Sequence, residues 1–219
     1  MHFEILVEDQ SGKDALDLLV PKIIGNNHTY KIRAYKGIGH IPKNLNTAVD
    51  ASKRKLLANL PKLLSGYGKS WPTGYPAVVI IICDLDDKCL KSFRQELLAI
   101  LSQCHPAPET RFCLAVEEGE AWLLGDIAAI KSAYPAAKNA ILGNYINDAV
   151  CGTWEVLADA IYKGGAQALS ASGGHRIGAE KSAWAKSIAP HMDITNNQSP
   201  SFNYFRNKLL EFAEQDIAD

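Results

Sequence analysis

The stretch that most constrains this chain is "VVIIICDLDDKC", residues 78–89, an apolar run that ends abruptly in acid. The six side chains from Val78 to Cys83 show no polar alternation, so a strand made of them is buried on both faces. Such a strand belongs in a sheet with helices on either side rather than in a sheet with one wet face. Asp84, Asp86 and Asp87 then arrive within four residues. Carboxylates that close repel one another unless they are protonated or share a cation.

The rest of the chain supplies partners for that strand. "FEILVE" (3–8) reads as a strand, and residues 11–24 follow with Leu16, Leu19, Val20 and Ile23 at helical spacing. "TYKIRAYKG" (29–37) is a second strand closed by Gly37 and Gly39. Leu56, Leu57, Leu60 and Leu64 predict a helix over about 46–64, with Pro61 expected to kink or split it. Gly and Pro content predicts a loop over 65–76. A helix over 92–103, a strand over 111–116 and one helix over 117–134 complete the pattern. Strands alternating with helices predict an α/β fold: a four-stranded, mainly parallel sheet flanked by helices. After residue 135 no strand is expected. Helices are predicted at 154–162, 179–192 and 201–215, with a Gly/Ser/Ala-rich loop over 163–176. The expected division is an α/β domain over 1–135 and a helical C-terminal extension over 136–219 packed on it as one unit.

Composition excludes wholesale disorder, since 47% of the 219 residues are hydrophobic and 21% charged. No apolar run approaches the roughly 20 residues needed to cross a bilayer, so no membrane partner is expected. An N-terminus without a basic region, and five cysteines without C-x-x-C spacing, predict a cytoplasmic protein with reduced thiols. The net charge of −1 conceals an asymmetry: residues 31–69 hold nine basic residues against Asp50 alone, and the remainder has a net of −9. A basic segment in an acidic chain suits contact with a polyanion such as nucleic acid, with Lys36, Lys43, Lys53, Arg54 and Lys55 as candidate phosphate contacts. A solvated surface segment remains the alternative.

In open parallel sheets, ligands bind beyond the carboxyl ends of the strands. Three acidic clusters fall there: Glu8-Asp9, Asp84 to Asp87, and Glu117, Glu118 and Glu120. Taken singly, each also suits the positive end of a following helix. Taken together, they call for a shared cation, and Mg²⁺ with oxygen ligands is the simplest, Mn²⁺ being the alternative. Residue alternation along a strand would turn Asp84 and Asp86 to the same side and Asp87 away. Glu8 is the candidate general acid or base. Glu4 lies too far back along its strand to join. His40 reads as a turn histidine, and Trp122 and Trp184 as core residues.

Glu8 closing one strand and Asp84-x-Asp86 closing another resemble the Toprim pattern of topoisomerases, primases and OLD-type nucleases. "ILVEDQ", "YKGIGHIPKNL", "EEGEAWLLGD" and "KSAWAKSIAPHMDI…SPSFNYFRNKL" resemble, more narrowly, a bacterial Toprim-like family labelled only as a domain of unknown function. The resemblance implies Mg²⁺-dependent phosphodiester cleavage, with Glu8 as acid/base, Asp84 and Asp86 on the metal, and Glu117 or Glu120 completing a second metal position. Asp9 stands where the Toprim pattern usually has Gly. Lys88 stands where many members have a third aspartate, and a lysine there is a further candidate phosphate contact. Two other readings stay open. One is a non-catalytic partner of an ATPase in a mobile-element or phage-defence locus, and the helical tail, under any reading, is available to cap the sheet, to homodimerise or to bind that partner. The other is a haloacid-dehalogenase-like phosphatase using Asp84 as nucleophile.

Overall fold

The computed structural model describes residues 1–42, 53–149 and 151–215. Four strands form a single all-parallel sheet in the order β2-β1-β3-β4: β1 (His2–Val7), β2 (Thr29–Ala34), β3 (Ala77–Asp84) and β4 (Thr110–Ala115). Between them run α1 (Gln10–Ile24), α2 (Leu56–Ser70) and α3 (Leu90–Ser102). After β4 come α4 (Glu120–Leu124), α5 (Ile127–Ala133), α6 (Asn139–Gly143), α7 (Thr153–Ile161), α8 (Gly165–Ser170), α9 (Gly174–Ile188) and α10 (Pro200–Gln215).

The expected double burial of β3 is met by two separate cores. On one face, Phe3, Ile5, Val7, Val78, Ile80 and Ile82 pack with Leu16 and Leu19 of α1, Trp184 of α9 and Phe202 and Phe205 of α10. On the other, Leu6, Val79, Ile81 and Cys83 pack with the leucines of α2 and with Phe93, Leu97 and Ile100 of α3. Each of these side chains left in water would forgo about 1.5–3 kcal/mol, which is why neither face stays bare. Trp122 and Trp184 are both buried, as expected of core residues. All five cysteines are unpaired.

Three local expectations are corrected. The helix predicted to end at Leu64 continues through "SGYGKS" to Ser70, with Pro61 inside it; its predicted start, 46–52, lies outside the described residues. Gly68 is there because a neighbouring loop crosses the helix: a Cβ at that position would sit 2.2 Å from the Pro106 carbonyl oxygen. The helix expected over 117–134 breaks at Gly125-Asp126, where Asp126 caps α5 by accepting from the Ala129 N–H at 2.9 Å. The loop expected over 163–176 contains α8 and the first turn of α9, because Ala166 and Leu169 find core positions. No helix among the described residues is long and apolar enough to cross a membrane.

Candidate functional site

From β1 the chain moves outward to β2, and from β3 it moves the opposite way to β4. The strand order therefore reverses between β1 and β3, and in open α/β sheets this is where a crevice opens. Glu8 and Asp84 stand at that point. The Asp84 N–H donates to Glu8 Oε2 at 3.3 Å, and the Ile38 N–H also reaches the Glu8 carboxylate. The loop after β2 is drawn over β1, because the Gly37 N–H donates to the Glu8 carbonyl at 2.9 Å.

A narrow cleft of about 40 Å³ lies against these residues; Glu8, Asp9, Asp84, Glu120 and Lys181 border it, and apolar side chains, among them Leu16, Ile82 and Trp122, form most of the rest of its wall. That volume suits a water or an ion rather than an organic molecule. Burial pushes the Glu8 carboxyl above the usual range; the amides of Asp84 and Ile38 oppose the shift, and Asp86 and Asp9 add to it. Burial, then Glu8 and Glu120, push Asp84 well above its ordinary value against the pull of Lys181. Asp84 also lies close to the loop after β4, for a Cβ at Gly119 would be 3.9 Å from its Oδ1. The cleft thus concentrates negative charge where two carboxylates already resist ionisation together.

The other predicted site residues are distributed differently. Strand alternation does not carry Asp86 to the side of Asp84, because the chain leaves β3 at Asp84. Asp86 adopts a left-handed backbone at φ 51° in the following turn. Its carboxylate is half-exposed and takes the Lys88 ammonium at 2.6 Å. Asp87 is exposed. Glu117 is turned away by its own left-handed backbone, φ 64°, and both its oxygens accept at 2.7 Å from the N–H groups of Gly152 and Thr153, at the start of α7. Glu120 is buried, and Lys181 is 2.9 Å from its Oε2. Asp9 caps α1: its oxygens accept from the Gly12 N–H at 2.8 Å and the Ser11 hydroxyl at 2.6 Å.

Lys36, Lys53, Arg54 and Lys55 are exposed, and Lys43 lies outside the described residues. The Lys36 N–H donates to the Arg54 carbonyl at 2.9 Å, and Arg54 Nη2 donates to the Ala34 carbonyl at 2.7 Å. Lys55 crosses the glycine loop, where a Cβ on Gly39 (φ 70°) would meet its Cβ at 2.7 Å. A basic shoulder thus borders Glu8 on the β2 side.

Lys181 was not among the predicted site residues. It reaches the cleft from α9 with 13% of its side chain exposed, and lies 2.9 Å from Glu120 and 3.3 Å from Glu118. Burial disfavours its charge, but Glu120, Glu118 and Asp84 outweigh burial and hold the ammonium form more firmly than usual. Its only trace in the sequence is that it begins the stretch "KSAWAKSIAPHMDI".

Among the described residues, no three His, Cys, Asp or Glu side chains form a group that would hold a metal ion. Two carboxylates, completed by waters and phosphate oxygens, are nevertheless a usual Mg²⁺ ligand set. Glu8 and Asp84, hard oxygen donors with raised pKa and no lysine or arginine within ion-pair distance among the described residues, fit that description. A second concavity, a groove of about 760 Å³ beside β4, contains Leu90, Leu98, Phe112 and Tyr204 and one acid, Asp148. That acid is already engaged, accepting from the Ser201 N–H at 2.6 Å and the Ser199 hydroxyl at 2.9 Å.

A four-stranded parallel α/β fold with an acidic cleft at its strand reversal is the class that the architecture defines. Within it, the chain belongs to the family described as a domain of unknown function, DUF4276, whose profile matches residues 7–210. No curated protein and no solved structure matches the chain.

Proposed function

We propose that this protein is a Toprim-like, Mg²⁺-dependent phosphoryl-transfer enzyme of the cytoplasm that cleaves nucleic-acid phosphodiesters. The observation that carries this reading is the meeting of Glu8 and Asp84 at the strand reversal, beside the basic shoulder of Lys36, Arg54 and Lys55. Asp84 and Glu8 would hold the ion, with exposed Asp86 at the rim. When bound, the ion would neutralise and polarise a phosphate and lower the pKa of water. Glu8, whose carboxyl burial pushes above the usual range, would be the group that moves a proton. The basic shoulder would hold the flanking backbone through its phosphates, without reading bases.

The test incubates purified protein with labelled single- and double-stranded DNA and RNA in Mg²⁺ or Mn²⁺. Cleavage that Glu8→Gln abolishes is expected. Equal behaviour of the wild type and Glu8→Gln on every substrate would reject catalysis. A non-catalytic ATPase partner is the second reading, favoured by Lys181, which already neutralises part of the cleft. Under that reading the wild type cleaves nothing, yet co-purifies with an ATPase encoded beside it.

A further inference from the structure

The cleft contains a cation of its own. Lys181 projects from α9, a helix that belongs neither to the sheet nor to the crossovers between its strands, and its ammonium sits beside Glu120 and Glu118. The acids that the sequence offered for a second metal position are both committed. Glu117 spends its two oxygens on the amides of Gly152 and Thr153, and Glu120 is ion-paired to Lys181. A second divalent ion at Glu120 would have to evict the ammonium or sit against it. Two cations sharing the one Glu120 carboxylate repel strongly.

We propose that Lys181 is the second cation of the site. The protein then takes one divalent ion, at Glu8 and Asp84, and Lys181 meets the substrate phosphate from the opposite side. An ammonium has three N–H donors. Lys181 donates one to Glu118 at 3.3 Å and pairs with Glu120 by charge at 2.9 Å, which leaves N–H capacity for a phosphate oxygen entering beside Asp84. Glu118 and Glu120 are then positioning residues, fixing the lysine head at the cleft as a rigid point charge. This proposal rests on the phosphoryl-transfer reading and adds to it the number of metal ions and the group that replaces the missing one.

The experiment counts Mn²⁺ on the full-length protein by calorimetry and electron paramagnetic resonance, with cleavage followed in parallel. The wild type should bind one Mn²⁺ per chain with an uncoupled signal. Lys181→Met should bind a second ion, while its cleavage at one-ion occupancy falls about 100-fold or more. Lys181→Arg should keep the count at one and retain part of the cleavage. Two Mn²⁺ ions in the wild type, or a spin-coupled pair, with cleavage intact, would overturn the role of Lys181 and leave the enzymatic reading standing. A count that stays at one in a folded Lys181→Met would overturn it equally. No Mn²⁺ uptake and no cleavage by the wild type would overturn both. The wild-type count decides the matter even if Lys181→Met fails to fold.

Discussion

Glu4, buried within β1, and Glu8, half-buried one residue beyond its end, are treated by the chain in opposite ways. Glu4 is surrounded by donors: Tyr67 donates its hydroxyl at 2.9 Å, Arg33 donates through Nε, and His2 Nε2 lies 3.6 Å away. The partnership is mutual, since Glu4 raises the pKa of Arg33, and burial together with Glu4 raises that of Tyr67. Glu8 has two backbone amides and otherwise faces Asp9, Asp84 and Asp86. An acid whose lone pairs are filled by side chains from β2 and α2 ties the sheet edge together. An acid ringed by other acids stores repulsion, which makes a poor strut and a good receptor for a cation.

That contrast can be broken by substitution. The largest effect is expected at Glu8→Gln and Asp84→Asn: a loss of cleavage of about 10²–10⁴-fold, with thermal stability unchanged or raised because a buried charge is removed. A thermal melt that drops sharply in either variant would make Glu8 as structural as Glu4. Next comes Glu4→Gln, which removes a charge-assisted hydrogen bond and should cost about 2–3 kcal/mol in urea unfolding while leaving cleavage intact. Retained stability there would mean that Arg33 and Tyr67 find water as good a partner.

The pH dependence should be of similar or smaller size. Burial, opposed by Lys181 and reinforced by Glu120 and Glu117, lifts Glu118 from 4.5 to about 7. The folded chain therefore keeps a proton that the unfolded chain has released across that window. The stability this residue carries is complete below 4.5 and is lost as the pH climbs through about 7. With its side chain 22% exposed, the loss is about 2 kcal/mol. Urea midpoints at pH 5 and pH 8 measure the drop, and Glu118→Gln should flatten it. The smallest effect is expected at Glu117→Ala, about 1 kcal/mol for a lost helix cap, with Mn²⁺ affinity unchanged. A large fall in that affinity would return Glu117 to the metal.

The sheet was legible because its signals are local: an apolar run for β3, and helical leucine spacing for α1 and α2. The convergence of Glu8, Asp84 and Glu120 followed from topology, since parallel strands must end on the same side. What sequence reasoning missed depends on distant partners. The span "SGYGKS" reads as a loop until Pro106 is seen to need the space at Gly68. D-x-D reads as a same-side pair until β3 is seen to stop at Asp84. Glu117 reads as a ligand until Gly152 and Thr153 claim it from 35 and 36 residues away. Lys181 sits 61 residues beyond Glu120 and carries no motif that would announce its ion pair.

The reach of α9 into the cleft has a consequence for how such a chain can be cut or recombined. A break near residue 135 would spare every strand, yet it would remove Lys181 and both amides that restrain Glu117. The sheet half alone would keep its carboxylates and lose the charge that offsets them. Any replacement of the helical half would therefore need to bring a cation to the position of Lys181.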